Sequence, residues 1–274
     1  MELSEEARLQ RARTFDQIAG LYDRGRREPP GWLYDTVFAE SRLDTATARV
    51  LEIGCGTGKS TLPMARRGAS VLALEMGANL ARLAQHHLAS FPKVEVLCTR
   101  FEDWRPTERF DLVLAITAWH WLNPAVRYGH AATALRPGGT LAFTVTEHAY
   151  PRGYDSFFEE IQECYRAVGM GSIAWPPPPP DAVPDSRAEI EQSGCFEDVR
   201  VIRRLWAEEF TAEEHVALMR TASDDRLLEA DKREWLFEEM RRRIESRHGG
   251  RVRKHNLTVV HLARRLPNFP NESR

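Results

Sequence analysis

Three glycines spaced two residues apart form the part of the sequence best suited to bind a ligand. The segment reads Val50-Leu-Glu-Ile-Gly-Cys-Gly-Thr-Gly-Lys-Ser60, and its first residues predict a buried strand. Glycine lets the backbone turn sharply and leaves space where other residues carry a Cβ atom. A helix directly after the loop would present unpaired N–H groups and the positive end of its dipole. The segment therefore predicts a ligand-binding loop between a strand and a helix.

Two common nucleotide-binding loops are also rich in glycine, but their spacing differs from this one. A dinucleotide-binding G-x-G-x-x-G loop that starts at Gly54 would need a glycine where Lys59 stands. A phosphate-binding loop that ends in Gly58-Lys59-Ser60 would need its first glycine where Ile53 stands. The spacing therefore argues against a Rossmann-type dehydrogenase and against an ATP-binding P-loop.

The glycine segment at 52–58 resembles motif I of the class I S-adenosylmethionine-dependent methyltransferases. Three further segments resemble that family in the same order along the chain. Glu75 ends the second predicted strand, residues 110–117 are similar to motif IV, and residues 135–142 are similar to the turn before the fifth strand. The resemblance covers residues 49–146, and four motifs in order are far more specific than one glycine loop.

The resemblance implies that S-adenosylmethionine is the cofactor and S-adenosylhomocysteine the product. Glu75 would accept hydrogen bonds from both ribose hydroxyls, as an acid does at this place in dinucleotide-binding folds. Arg100 stands where an acid often binds the adenine amine in the family, so that contact is left to Phe101 or Glu102. The residues expected at the cofactor are Glu52, Gly54, Cys55, Gly56, Gly58, Glu75, Met76, Phe101, Glu102, Ala115 and Ile116.

A histidine between two tryptophans follows the fourth predicted strand. This segment, 118–124, resembles the corresponding part of trans-aconitate-type carboxylate O-methyltransferases, which act on small molecules. Trp119 and Trp121 are expected to wall an apolar cleft, with His120 facing the substrate as a base or as an orienting group. The alternative is that all three rings pack beneath the next helix.

The N-terminal segment 15–22 is similar to the part of the same branch that folds over the bound cofactor. Tyr22 and Arg26 are therefore candidates to contact the methionine carboxylate or an acidic substrate. An exposed arginine is more often simply solvated. His148, just past the fifth predicted strand, is a second candidate histidine for the substrate cleft.

Strands and helices alternate from residue 49 onward, at lengths typical of βαβ units and a parallel sheet. We expect a doubly wound, Rossmann-like α/β fold with a seven-stranded, mostly parallel sheet, helices on both faces and a helical lid. The carboxyl ends of the strands would then form the ligand-binding edge. The predicted strands are 49–53, 70–74, 94–98, 110–116, 140–146, 197–203 and 256–263. The predicted helices are 4–23, 32–42, 59–67, 79–89, 124–135, 154–167, 211–221 and 228–247.

Three units are expected along the chain. Residues 1–45 would form a helical cap over the cofactor site, and residues 46–150 the S-adenosylmethionine-binding core. Residues 151–274 would supply the helical substrate lid and the last two strands. Within them, Thr211 and Glu214 have the spacing of a capping box, and the five prolines at 176–180 predict a stiff polyproline segment.

Composition restricts the partners and the location. The net charge of −2 and the pI of about 6.5 argue against a nucleic-acid substrate. The N-terminus lacks the order of a signal peptide, and no apolar run reaches the roughly 18 residues of a membrane span. The four cysteines are scattered, without metal-ligand spacing. We expect a cytoplasmic protein, a monomer or homodimer, with no metal, membrane or nucleic-acid partner.

These expectations lead to one preferred function and several alternatives. The preferred function is methyl transfer to an oxygen of a small, largely apolar molecule, either a carboxylate or a natural-product hydroxyl. Methylation of nitrogen or carbon is an alternative that the cofactor motifs do not exclude. RNA methylation is opposed by the charge and by the absence of a typical catalytic motif. A non-catalytic S-adenosylmethionine-binding protein would keep the glycines, and a filled cleft around Trp119 and Trp121 would favour it.

Overall fold

The structure is a computed structural model that describes residues 10, 13–170, 175, 179–222 and 228–269. Its strands are β1 Arg49–Ile53, β2 Ser70–Glu75, β3 Val94–Cys98, β4 Phe110–Ile116, β5 Leu135–His148, β6 Phe196–Thr211 and β7 Arg251–Arg265. They form a seven-stranded sheet in the order β3-β2-β1-β4-β5-β7-β6. β7 runs antiparallel to both neighbours, and the other neighbouring strands are parallel. The predicted seven-stranded, mostly parallel sheet is confirmed.

The last three strands are longer than the sequence predicted. β5 begins at Leu135, where the end of a helix was expected, because Leu135 already pairs with Phe110 of β4. β6 and β7 pair from Phe196 opposite Arg265 to Thr211 opposite Arg251. Much of β6 is polar and partly exposed, so an apolar run marks only its first half. The sheet therefore continues past the edge at which the shorter strands end.

The helices follow the predicted positions with four differences. The predicted helix at 4–23 is interrupted at Ile18 within the described residues and continues to Gly25. The helix after the glycine loop begins at Leu62 and not at Lys59, because residues 57–61 form turns. The predicted helix at 154–167 is divided into two, and the helix Arg187–Gln192 was not predicted. The capping box at Thr211 is confirmed. The helices are Ala19–Gly25, Gly31–Ser41, Leu62–Arg66, Ala78–Leu88, Arg127–Ala134, Phe157–Glu160, Gln162–Ala167, Arg187–Gln192, Ala212–Met219 and Ala230–Arg247.

Apolar side chains cover both faces of the sheet. Along β1, Val50 belongs to one buried cluster, while Leu51 and Ile53 belong to the cluster on the opposite face. This alternation follows from the two-residue repeat of a strand. Helices pack on each side, so the central strands are buried on both faces, as is usual for a parallel sheet.

Strand order reverses between β1 and β4. The chain passes from β1 outward to β2 and β3, then returns to place β4 on the other side of β1. Loops that leave neighbouring strands in opposite directions open a crevice at their carboxyl ends, where ligands of such sheets bind. The glycine loop directly follows β1 and is therefore at this crevice.

A third apolar cluster lies beyond the extended strands. It joins Phe210 of β6 and Val252 of β7 to the helices Phe157–Glu160, Ala212–Met219 and Ala230–Arg247. Of the helix predicted at 4–23, the structure describes residue 10 and residues 13–23. Its other residues lie outside the described part of the chain, and so do prolines 176–178 of the predicted polyproline segment. Among the helices that the structure describes, none is both long and apolar enough to span a bilayer.

Candidate functional site

A cavity of about 670 Å³ opens at the carboxyl edge of the sheet. This volume is in the range of roughly 300–1,000 Å³ that is common for small-molecule sites. One part of its wall is the glycine loop with the ends of β2, β3 and β4. Another part comes from the N-terminal segment, and a third comes from β5, β6, β7 and the residues around 218–222. The cavity thus joins the predicted cofactor loop to the extended strands.

The three loop glycines have different roles, although all have positive φ: 71° at Gly54, 59° at Gly56 and 86° at Gly58. A Cβ atom on Gly54 would lie 2.7 Å from the Ala118 Cβ, and one on Gly58 would lie 3.0 Å from the Leu88 Cδ1. These two glycines therefore permit close packing of the protein itself. A Cβ on Gly56 would meet only the Tyr22 ring, at 3.7 Å, so Gly56 alone leaves open space on the cavity side.

Glu75 lies at the carboxyl end of β2 and lines the cavity, though it is only 6% exposed. Its Oε2 accepts a hydrogen bond from the Gly56 N–H at 2.9 Å, and its Oε1 accepts one from the Gly77 N–H at 2.8 Å. Burial raises the pKa of this carboxyl, and the two backbone donors counteract part of that rise. The donors fix the carboxylate while further lone pairs stay available to a ligand.

Glu52 is not on the cavity wall, contrary to the prediction. It is fully buried, and its Oε2 accepts a hydrogen bond from the Thr61 hydroxyl at 2.6 Å. Burial raises its pKa to about 7. Glu52 therefore ties the end of β1 to the residues before the next helix. It shapes the glycine loop from behind and does not reach the cavity.

Two sets of polar contacts hold the N-terminal segment over the glycine-loop end of the cavity. The Asp16 carboxylate accepts hydrogen bonds from the N–H groups of Asn79 and Leu80, at 2.7 and 3.0 Å, and so caps the helix Ala78–Leu88. Lys59 of the glycine loop donates to the carbonyl oxygens of Asp23 and Arg26. Both contacts hold residues 15–26 against the loop.

Aromatic rings close the same side. Phe15 packs edge-on against Tyr22 and against Trp121, with centroid distances of 5.7 and 5.8 Å. Arg26 lies 5.4 Å above the Tyr22 ring and donates to the Thr221 hydroxyl at 2.8 Å. Tyr22, Arg26 and Trp121, which the sequence named as candidates to contact a ligand, all line the cavity.

The two tryptophans around His120 point in different directions. Trp119 is 2% exposed and stacks on Phe143 in the core, with ring centroids 4.9 Å apart. The prediction that Trp119 walls the cleft is therefore wrong: the turn Trp119–Trp121 directs the first ring inward. His120 is exposed, lines the cavity and lies 4.6 Å from the Trp121 ring. Partial desolvation of the ring by the cavity wall, and then the Arg127 charge, lower the pKa of His120, which favours the neutral imidazole.

The other residues predicted to bind the cofactor fall into two groups: some line the cavity and others do not reach it. Ala115 is fully buried within β4 and, like Gly58, does not reach the cavity, because the strand turns that side chain to the core. Glu102 accepts a hydrogen bond from the Asn123 N–H at 3.0 Å, which ties two loops of the cavity wall together. The predicted residues found on the wall are Gly54, Cys55, Gly56, Glu75, Met76, Phe101, Glu102 and Ile116.

A second part of the same cavity, called the second chamber below, lies where β5, β6 and β7 continue past the sheet edge. Of the strand residues that line it, the sequence had indicated only His148. Alternate residues of each strand face it, in keeping with the two-residue repeat. We define the polar row of this chamber as Thr146, His148, Trp206, Glu208, Lys254, Asn256 and Thr258, all of which line the cavity. The alternation of polar residues with Leu257 and Val259 along β7 was a signal that could have revealed it.

His148 lines this chamber as a neutral ring. Its Nδ1 shares a hydrogen bond of 2.8 Å with the Tyr150 hydroxyl, and Phe158 packs edge-on against it. Burial, together with nearby positive charge from Lys254, lowers its pKa to about 2. Its Nε2 is buried and has no hydrogen-bond partner among the described residues. His148 is therefore neutral near pH 7 and a weak base.

The described residues contain no group of three or more His, Cys, Asp or Glu side chains that could hold a metal ion.

Comparison with known proteins identifies the central part of the chain. Residues 50–139 match the family model of a methyltransferase domain. An uncharacterized methyltransferase of Mycobacterium tuberculosis is 35% identical over 129 residues, which are 47% of this chain and 50% of that protein. A ubiquinone biosynthesis O-methyltransferase of a Bradyrhizobium species is 36% identical over 95 residues, 34% of this chain and 38% of that protein. The matches thus span half or less of these curated relatives.

A solved structure extends the likeness to the whole fold. Phosphoethanolamine N-methyltransferase 2 of Haemonchus contortus, in complex with S-adenosylhomocysteine, superposes with a TM-score of 0.55 at 17% identity, covering 96% of this chain and 60% of that one. At this identity the likeness is one of fold alone. The order of the motifs, the strand order and the matched family agree with one another. Residues 50–139 therefore match a methyltransferase domain, and their motifs and strand order resemble those of the class I, S-adenosylmethionine-dependent type.

Proposed function

We propose that the whole chain is a methyltransferase that transfers a methyl group from S-adenosylmethionine to an oxygen of a small, largely apolar molecule. The observation that carries the proposal is that one continuous cavity joins the glycine loop to a chamber lined by aromatic rings and histidines. A protein that only bound the cofactor would need no such second chamber. The open cleft beside Trp121 therefore favours a catalyst over a non-catalytic binding protein.

The residues at the loop end fit the cofactor. Gly56 leaves space where any other residue would place a Cβ atom. The Glu75 carboxylate is fixed by two backbone donors and can accept hydrogen bonds from ribose hydroxyls. The apolar side chains of Met76 and Ile116 line the same space. We propose that these residues, with Gly54, Cys55, Phe101 and Glu102, hold the cofactor.

The bound cofactor would supply an activated methyl group, so the chain itself has to position the acceptor and exclude water. Phe15, Tyr22 and Trp121 provide an aromatic cover on this side of the cavity. A hydroxyl acceptor must also lose a proton, and His120 is the neutral imidazole placed to receive it. A carboxylate acceptor is already ionised, and His120 would then orient it. Similarity to an O-methyltransferase supports oxygen as the acceptor atom.

The test has a binding arm and a transfer arm. In the binding arm, calorimetry should show binding of S-adenosylmethionine and S-adenosylhomocysteine, and none of NAD or ATP, because the glycine spacing suits only the first pair. In the transfer arm, methyl-labelled S-adenosylmethionine is offered with panels of phenols, alcohols, carboxylic acids and amines. We expect label in a phenol, alcohol or acid. Label only in amines would contradict oxygen transfer, and NAD binding without S-adenosylhomocysteine binding would contradict the whole proposal.

We expect Glu75→Ala to weaken binding of S-adenosylhomocysteine by about 1–3 kcal/mol, the usual cost of losing a charged hydrogen-bond partner. The variant also loses the acceptor for the Gly56 and Gly77 N–H groups, so the loop itself becomes less fixed. Calorimetry measures the affinity. Glu95→Ala, at an exposed position on β3, is the matched control and should bind like the parent. Equal affinity in both variants would remove Glu75 from the ribose site.

A further inference from the structure

A lysine in the second chamber lies opposite an acid that is engaged elsewhere. Lys254 of β7 and Glu208 of β6 are directly paired in the strand register. The Glu208 carboxylate nevertheless lies 3.5 Å from the Arg27 guanidinium and accepts a hydrogen bond from the Asn256 Nδ2 at 3.4 Å. Lys254 donates to the Asn256 Oδ1, and within the described part of the chain it forms no ion pair with a carboxylate. Asn256 thus separates the two charges.

The charge on Lys254 is only partly compensated by the protein. Burial lowers its pKa to about 8; Glu208 and Glu147 act against this, while Arg26 lowers it further. A half-buried ammonium in this condition is stabilised by an anion that approaches it, because burying a charge without a partner is costly. An ammonium has three donors. The chamber therefore has a site of positive charge with hydrogen bonds to offer.

The histidines around Lys254 do not compete for an anion as cations, so the other positive charge near Lys254 on the cavity wall is that of Arg26. Burial lowers the pKa of His148 to about 2 and that of His215 to about 4, so both rings are neutral near pH 7. His148 also lines the cavity, but its Nε2 is buried, so Lys254 and not His148 is the group that supplies hydrogen bonds to a bound anion.

The helical part of the chamber wall is apolar. Leu218 and Met219 come from the end of the helix Ala212–Met219, and Phe210 of β6 adds an aromatic ring next to Glu208 on the strand side. The N-terminal helix closes tightly on this wall, since Gly25 has no room for a Cβ atom against the Ala217 carbonyl. The chamber therefore has one charged polar side and one hydrocarbon side.

We propose that Lys254 binds an anionic group of the methyl acceptor, and that the acceptor is an amphipathic acid whose apolar body lies against Leu218 and Met219. This rests on the proposed function, since it assigns the chamber to the acceptor. The composition supports a specific place for this side chain: only four of the 38 basic residues are lysines, and Lys59 and Lys254 both line the cavity. An anion at Lys254 comes from one of two sources, the acceptor or the methionine carboxylate of the cofactor, and the experiment separates them.

The test uses binding, so that it does not depend on turnover. Octanoate and 3-phenylpropanoate are titrated calorimetrically into the protein saturated with S-adenosylhomocysteine, beside the matched neutral alcohols octan-1-ol and 3-phenylpropan-1-ol. We expect at least one acid to bind about tenfold more tightly than its alcohol, the size expected for a hydrogen bond to a charged group. Lys254→Met should remove this preference and Lys254→Arg should keep it. Lys232→Met, at an exposed lysine of the helix Ala230–Arg247, is the control.

The dependence on pH gives an independent readout. Lys254 carries its charge below its pKa and loses it above, so acid binding should weaken between about pH 7 and about pH 9.5, while alcohol binding should not change. Melting temperatures show whether each variant is folded.

Three results would overturn the assignment: no preference for either acid, a preference that survives Lys254→Met, or an equal loss of S-adenosylhomocysteine affinity in that variant. The last result would place the cofactor carboxylate at Lys254. If the parent protein bound the acids with the expected preference but transferred no methyl group, the proposed function would be contradicted and the anion site at Lys254 would still be supported.

Discussion

Gly56→Val is expected to weaken binding of S-adenosylhomocysteine by about 100-fold or more, which corresponds to about 2.8 kcal/mol. Two effects add. Gly56 has a φ of 59°, a left-handed conformation that is costly for a β-branched residue. The branched side chain would also point toward the cavity, since a Cβ here meets nothing closer than the Tyr22 ring. The loop would either block the ligand or change its conformation, and calorimetry would detect both as lost affinity.

Gly138→Val is the matched control for this experiment. Gly138 also has a positive φ, 73°, but a Cβ there would have no heavy atom within 4 Å. The control therefore introduces the same kind of backbone strain in the irregular first part of β5, at the amino end of that strand and away from the glycine loop. It should reduce thermal stability without changing affinity. If Gly138→Val lost affinity as severely as Gly56→Val, general destabilisation and not the ligand site would explain the effect.

His120→Ala is expected to lower kcat by about 100-fold on a hydroxyl acceptor, the usual contribution of a positioned general base. His120 is exposed to the cavity, beside Trp121, and the position is not part of the apolar core. Melting temperature and affinity for S-adenosylhomocysteine should therefore stay near those of the parent. The measurement is a single-turnover rate and a melting curve on the same preparation. An unstable but fully active variant would remove His120 from the mechanism.

The pH profile distinguishes a base from an orienting group. Burial lowers the pKa of His120 below its ordinary value of about 6.5, so the ring is neutral and able to accept a proton at neutral pH. The rate should fall only as the pH drops below about 6.5, and this acid limb should vanish in His120→Ala. With a carboxylate acceptor the loss should appear mainly in KM. His86→Ala, at an exposed histidine of the helix Ala78–Leu88, is the control.

The sequence was sufficient for the central strands because their residues obey simple local rules. β1, β3 and β4 have the predicted bounds, since each is a short run with apolar residues between turn-forming segments. The glycine loop was equally predictable, because positive φ at three alternate positions requires glycine. The acid at 75 follows from its place at the end of β2, where the carboxyl edge of the sheet must lie.

The sequence predicted the strand or turn in which a residue lies better than the direction in which its side chain points. Glu52 lies one residue before Ile53, at the end of β1, yet the pleat turns it away from the cavity toward Thr61. Trp119 and Trp121 are two residues apart in a single helical turn, so they point to different sides. Lys254 was overlooked because its role depends on Asn256 and Glu208 across two strands, and one strand's sequence does not specify such a pairing.

The two walls of the second chamber differ in how freely they can accept mutations. On the strand wall, the Thr258 hydroxyl bonds the Thr146 hydroxyl and the Trp206 Nε1, both at 2.9 Å, so substitutions here also disturb the pairing of β5, β6 and β7. On the helical wall, Leu218 and Met219 are only partly buried, and their apolar side chains line the cavity. Libraries aimed at new acceptors should therefore diversify the helical wall. Variants there can exchange one hydrocarbon shape for another while the sheet, and the charge anchored on it, stay as they are.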